Sequence, residues 1–460
     1  MKLTSHLLLL LLSFSLLCCK QRPSNSEADK STGNASSTVV RSAQGPPSWI
    51  IRGNIYEVNV RQYTPEGTFK AFQQHLDRLK EMGVQTLWFM PINPISKKDR
   101  KGPLGSYYAV ADYTAINPEF GTMNDWKELV NAIHNKGMKV IIDWVPNHTG
   151  ADNRWLTQHP EFYVRDSAGK FVSPYDWTDV KKLDYLNVAM QDSMINSMQF
   201  WVKESDIDGF RCDHAQGVSK DFWKKCISNL KKQKNLLMLA EAEENWIDSV
   251  GFDMSYAWQF FHKTLDIAKG KSGANALDSI MSMDSLLPPD ALKLYFTSNH
   301  DENSWNKADY GTMPGAIHAP FAVLSQTIKR SVPLIYGGQE EPILRPIKFF
   351  EKDPMKFGKF ERANFYKTLL SLRNRNEALA ADASFRKVNV GNPKALYTFV
   401  REKGGKKVFV ILNLSKTEQT ITVNDASLQG NPKNIFMGGN EPLGSKPWMI
   451  EKWGYVVYEY

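Results

Sequence analysis

The sequence predicts an α/β protein built on a closed (β/α)8 barrel, with a small insertion after the third strand and a C-terminal antiparallel β-sandwich domain. Two patterns carry this prediction. From Trp49 onward, short apolar strands alternate with amphipathic helical stretches, the signature of a parallel sheet with helical crossovers. Past residue 380 the helical period disappears, and β-rich runs broken by turns such as Gly404-Gly405 take over. The 460-residue length exceeds the usual size of one domain and allows for both.

Taken in order, Ile55 to Tyr63 reads as the first strand. Thr68 then caps a helix with Phe69, Phe72, Leu76, Leu79 and Met82 on one face, stopped by Gly83. Thr86 to Ile92 is the second strand. A helix carrying Trp126, Leu129, Val130 and Ile133 ends at Gly137, and Met138 to Val145 is the third strand. Residues 149–187 are too long and too rich in aromatics and proline for an ordinary loop, and read as a small inserted subdomain. The remaining strands are Gly209 to Asp213, Leu236 to Ala240, Met254 to Gln259, Leu292 to Thr297 and Val332 to Gly337, mostly separated by helices. The barrel domain then covers residues 49–380. In the C-terminal domain, 381–460, strands are expected at Ala395 to Arg401, Val408 to Leu414, Gln419 to Val423 and Trp453 to Tyr460.

The N-terminus reads as an export signal over residues 1–19. Lys2 precedes an apolar run from Leu7 to Leu17, too short to cross a bilayer as a folded helix. It ends in Leu16-Leu17-Cys18-Cys19, which resembles a bacterial lipobox with Cys19 as the lipidated residue, although a small residue usually precedes that cysteine. Residues 20–48 are polar and serine-rich, as a flexible tether would be. The expected location is therefore outside the cytoplasm, as a membrane-anchored lipoprotein on the periplasmic side or the cell surface. After processing only Cys212 and Cys226 remain, too few for a disulfide framework.

The net charge is +8, but lysines and arginines are dispersed along the chain, so nucleic acid is not an expected partner. Aromatic residues make up 12% of the chain, a supply of flat amphipathic rings that suits stacking on sugar faces.

Polar residues gather where the strands end. The third strand ends in Asp143-Trp144-Val145-Pro146-Asn147-His148, the fourth carries Arg211 and Asp213, the fifth delivers Glu241, and the seventh ends in Ser298-Asn299-His300-Asp301. Catalytic groups of parallel barrels sit at the carboxyl ends of the strands. Carboxylates from three strands meeting on one rim are the inventory that glycoside cleavage needs: a nucleophile for the anomeric carbon and an acid for the leaving oxygen. Asp213 beside Arg211 is the candidate nucleophile, because a fixed guanidinium favours the ionised carboxyl. Glu241, leaving an apolar strand, is the candidate for a raised pKa and the acid role. Asp301 is placed to hold sugar hydroxyls and stabilise the positive transition state. A catalytic metal is the competing use of such residues. Val58-Asn59-Val60 in the first strand lacks the His-x-His pair of barrel metallohydrolases, and the histidines stand apart.

In this order the segments Asp143 to His148, Gly209-Phe210-Arg211-Cys212-Asp213, Glu241 and Asn299-His300-Asp301 resemble the short motifs of the α-amylase family of glycoside hydrolases. Ser106-Tyr107-Tyr108-Ala109-Val110-Ala111-Asp112-Tyr113 and Pro333-Leu334-Ile335-Tyr336-Gly337-Gly338-Gln339-Glu340 are similar to two further family segments. The resemblance implies Asp213 as nucleophile, Glu241 as acid/base and Asp301 as transition-state stabiliser. Tyr108 would stack on the sugar, His148 and His300 would bond its hydroxyls, and Arg211 would orient the nucleophile. The implied activity is retaining hydrolysis of α-glucosidic bonds, α-1,4 foremost, in starch-like glucans or malto-oligosaccharides. No cofactor is required for it.

There are two departures. The family's Lys-His pair on the leaving-group side is replaced by Gln216-Gly217, which keeps a transglycosylase or isomerase on the same scaffold as an alternative. In one register Lys182 stands where a calcium-binding aspartate is usual; in a shifted register Asp184 would serve with Asn147, so a structural calcium stays open. A non-catalytic glucan-binding protein is the third reading, although relatives of that kind usually lose a carboxylate and none is missing here.

Overall fold

The computed structural model of the protein describes residues 45–460; the expected signal segment, Cys19 and most of the tether lie outside them. Eight strands, Ile55–Val58, Thr86–Phe89, Lys139–Trp144, Gly209–Cys212, Leu237–Ala240, Met254–Tyr256, Leu292–Tyr295 and Ser331–Tyr336, close into a barrel. They follow one another around it in chain order, every neighbour parallel, and the first pairs with the eighth.

Alternation along each strand separates two environments. Ile55, Trp88, Ile141, Leu237 and Leu239 pack together inside the barrel, while Leu87, Phe89, Ile142, Trp144, Phe210 and Met238 pack outward under the helices. Gly209 is required by the close approach of two strands, since a Cβ there would stand 2.2 Å from the carbonyl oxygen of Leu237. The helices start as the sequence predicts: Thr68 accepts from Ala71, Ser219 from Phe222, and Thr122 forms a capping box with Asp125.

Two expected elements differ. The first strand ends at Val58, and Val60–Tyr63 is a helical turn. Arg61 and Gln62 are buried there because their side chains serve loop carbonyls, of Gly105 and Leu104 for Arg61 and of Lys348 and Glu351 for Gln62. The helix expected from Phe69 to Met82 is two helices, Phe69–Gln73 and Leu76–Met82, the second closed by Gly83 in the left-handed region.

After the third strand, His148–Gly150 pairs with Val180–Lys182 as a short antiparallel ribbon, and the segment between them buries Trp155, Phe162 and Tyr163. At the C-terminus a five-stranded antiparallel sheet is joined by a two-stranded one of Gln419–Ile421 and Trp448–Ile450. The central strands Leu396–Lys403 and Lys406–Asn413 are apolar on both faces for a stated reason. Phe409 and Ile411 pack toward Ile421 and Ile450, whereas Val408, Val410 and Leu412 pack against Phe321, Leu324 and Leu369 of the barrel helices.

Candidate active site

The inward alternation continues one step beyond the apolar barrel interior and there turns polar. Ile141 is followed on the same face by Asp143, Leu239 by Glu241, and Arg211 by Asp213. Asp143 and Arg211 are register partners, so their side chains meet above the packed interior. The Asp213 amide donates to the Trp144 carbonyl and that of Glu241 to the Cys212 carbonyl, which extends the ladder and fixes both backbones.

Arg211 is the hub. One terminal nitrogen lies 2.9 Å from Asp143 Oδ1 and 3.1 Å from Asp213 Oδ1, the other lies 2.8 Å from Glu241 Oε1, and Nε donates to Tyr256 Oη at 3.2 Å. A single planar guanidinium therefore ties the two carboxylates that the sequence nominates as nucleophile and acid. Its side chain is 0% exposed, while those of Asp213, Glu241 and Asp301 are 13%, 16% and 38% exposed, so the three acids face solvent and their clamp does not.

The electrostatics differ from the sequence expectation in one respect. Burial, then the charge of Glu241, push the Asp213 carboxyl well above its usual range, and Arg211 does not cancel them. Burial also raises Asp143, to about 6, against the pull of Arg211 and His300. Glu241, by contrast, has its oxygens taken by the Arg211 guanidinium and by the His214 amide at 2.9 Å. Four clustered acids against one guanidinium share their protons as a set.

A second chain of contacts crosses the barrel mouth. Glu57 Oε1 lies 2.5 Å from His300 Nδ1, and His300 Nε2 lies 2.8 Å from Tyr108 Oη, which donates to Asp143 Oδ2 at 3.1 Å. Trp88 Nε1 donates to the same Asp143 oxygen. Burial alone would lower the His300 pKa, but Asp301 and Glu57 outweigh it and raise it to about 9, so the imidazole is cationic at neutral pH. His148 is the opposite case: burial and the charge of His214 lower it to about 3, and it is neutral.

Asp213, Glu241, Asp301, Tyr108 and His148 line one cavity of about 440 Å³, and His300 contacts it through Asp301 and Tyr108. Its walls also hold Trp177, His214, Trp258, Trp305 and Phe349, none of which sequence reasoning singled out. Glu57, Trp88 and Tyr256 were missed as well. The available signal was Glu57 itself, an acid on the inward face of an otherwise apolar strand.

The residues nominated for calcium do not fit it. The Asn147 carbonyl accepts from Leu183, its Oδ1 faces Gly217, and Asp184 Oδ1 accepts from Leu186. Lys182, paired with His148 across the ribbon, adds positive charge nearby. One amide and one occupied carboxylate fall well short of the six to eight oxygens calcium takes. Among the described residues no group of three or more His, Cys, Asp or Glu side chains is arranged to hold a metal ion.

Comparison with known proteins places this geometry. The family model for the alpha-amylase catalytic domain matches residues 24–170 and 162–364. The chain is 26% identical over 399 residues to a cyclomaltodextrinase of Thermoanaerobacter pseudethanolicus, covering 78% of this chain and 65% of that protein. It is 28% identical over 418 residues to neopullulanase 2 of Thermoactinomyces vulgaris, covering 83% and 68% respectively. The chain thus spans about two thirds of the length of these curated relatives. Among solved structures it superposes on a noncanonic maltogenic alpha-amylase of Thermotoga neapolitana with a TM-score of 0.80 and 27% identity, covering 89% of this chain and 99% of that one. An alpha-amylase from Lactobacillus plantarum gives 0.80 and 28%, covering 90% and 99%.

Proposed function

We propose that this chain, which belongs to the alpha-amylase family, is a retaining glycoside hydrolase that cleaves α-glucosidic bonds in malto-oligosaccharides or starch-like glucans, α-1,4 bonds foremost. The observation that carries this reading is the bridging of Asp213 and Glu241 by the single buried guanidinium of Arg211, at the mouth of a cavity sized for sugar. Retention needs a nucleophile and an acid roughly 5 Å apart across the scissile bond.

In this reading Asp213 attacks the anomeric carbon, and Glu241 protonates the departing glycosidic oxygen. Water deprotonated by Glu241 then releases the sugar from Asp213. Asp301 and the cationic His300 hold hydroxyls of the reacting ring; Tyr108 stacks on it, and neutral His148 bonds it as well. Because Asp213 is held high while Glu241 accepts from two donors, substrate must complete the proton placement by displacing water from this set. No organic cofactor enters. The N-terminal segment supports export and anchoring through Cys19 to a membrane, with the glucan as the partner. Radiolabelled fatty acid entering the wild-type chain but not Cys19→Ala is the expected result.

The activity test is incubation with maltoheptaose. Shorter maltodextrins are expected from the wild type, and Asp213→Asn should lower the rate at least about a thousandfold. Wild-type rates in that variant would refute the assigned nucleophile.

A further inference from the structure

His214, the residue after the nucleophile, is held in an unusual way. Its backbone is left-handed, with φ 44° and ψ 47°, a conformation that a non-glycine residue keeps only when its surroundings impose it. Three contacts impose it. Its amide donates to Glu241 Oε2 at 2.9 Å, its Nε2 lies 2.9 Å from Tyr175 Oη, and the Gln216 side-chain amide donates to its Nδ1 at 3.1 Å.

The imidazole occupies space left by a missing side chain. A Cβ on Gly217 would stand 2.4 Å from His214 Cδ2, 2.7 Å from its Nε2 and 2.9 Å from Asn147 Oδ1. Gly217 has an ordinary backbone, so the glycine serves the ring's seat and not a turn. Tyr175 is also left-handed, with φ 51°, and is 71% exposed despite its size. Its ring lies 4.9 Å from that of Trp177, which meets His214 edge-on at 5.9 Å. Trp177, His214 and Gln216 line the same cavity as Asp213 and Glu241.

Chemistry orients this group. The acid gives its proton to the leaving oxygen, so the leaving sugar sits beyond Glu241, and the His214 amide is bonded to that same carboxylate. We propose that His214, Tyr175 and Trp177 form the seat for the leaving pyranose, with His214 as its specificity-determining residue. Gln216 occupies Nδ1 as a donor, so Nε2–H donates to Tyr175 and leaves the tyrosine O–H free for a sugar hydroxyl. The two rings present edges and a face to the apolar side of the pyranose. This rests on the reading of Glu241 as the acid.

The test compares maltotetraose with α-maltosyl fluoride, whose departing fluoride places no ring in this seat. His214→Ala should lower the ratio of kcat/KM for maltotetraose over that for the fluoride at least about tenfold, and Tyr175→Phe should lower it about threefold. The exposed Tyr175 hydroxyl can be removed without unfolding the chain, so the second variant stands even if the first does not fold. An unchanged ratio in Tyr175→Phe and in folded His214→Ala overturns the proposal. If the wild type turns over neither substrate, the hydrolase reading fails instead. The seat is then judged by maltotetraose quenching of tryptophan fluorescence, which should weaken about tenfold in His214→Ala and overturns the proposal if it does not.

Discussion

The carboxylate of Glu57 lies 2.5 Å from Nδ1 of His300, joining the first barrel strand to the end of the seventh beneath the candidate active site. Both side chains are buried, so the pair is screened little by solvent. Through Tyr108 it reaches Asp143 and hence Arg211, and the whole rim is one connected polar network.

The pair should show in stability against pH. His300 is raised from its ordinary value to about 9, so its contribution is complete below the unfolded pKa and is lost as pH climbs through the folded one. Urea denaturation of Glu57→Gln at neutral pH should therefore show a loss of about 3 kcal/mol. The gap from wild type should narrow as the pH approaches about 10. A gap independent of pH would mean the imidazole is not cationic.

Replacing the hub should separate chemistry from binding. In Arg211→Lys a single ammonium cannot touch Asp143, Asp213 and Glu241 together, as the fork does. Steady-state kinetics on maltoheptaose should give a kcat reduced about a hundredfold or more, with a much smaller change in KM.

The two buried arginines near the C-terminal sheet predict a stability defect without a catalytic one. Arg401 donates to the carbonyls of Ser384, Thr327, Ile328, Ala380 and Ala383, so it knits the sheet to the barrel helices. Arg401→Met leaves those acceptors unserved and should cost about 3 kcal/mol or more in urea titration. Activity per folded molecule should be unchanged, because Arg401 is remote from the cavity lining.

Much of this was legible in the sequence, for a physical reason. Strand interiors that must be apolar make a carboxylate at their end conspicuous, which is how Asp213, Glu241 and Asp143 stand out. Glu57 did not, because its partner His300 lies far along the chain and nothing local tells a buried acid from an exposed one. His214 was hidden likewise: its seat depends on an absent Cβ at Gly217 and on Tyr175 from the inserted segment. The ionisation of Asp213 was misjudged because the sequence shows its neighbour Arg211 but not that Glu241 and Asp143 compete for the same guanidinium. The first strand was read too long because Arg61 and Gln62 turn inward to serve distant loops.

The donor set around Asn147 and Asp184 predicts indifference to chelators. Dialysis against EDTA should move Tm by less than about 2 °C and leave the rate on maltoheptaose unaltered, since no structural ion links the ribbon to the barrel. A fall of about 10 °C, restored by calcium, would contradict the fit made above.

The central claim is that Asp213 attacks the sugar while Glu241 supplies the proton. Peptide mapping by mass spectrometry, after treating Glu241→Gln with 5-fluoro-α-glucosyl fluoride, tests it directly, because departure of fluoride needs no acid. The account predicts a hexosyl adduct on the peptide containing Asp213. An adduct on Asp301 or Asp143, or hydrolysis with inversion and no adduct, would contradict it.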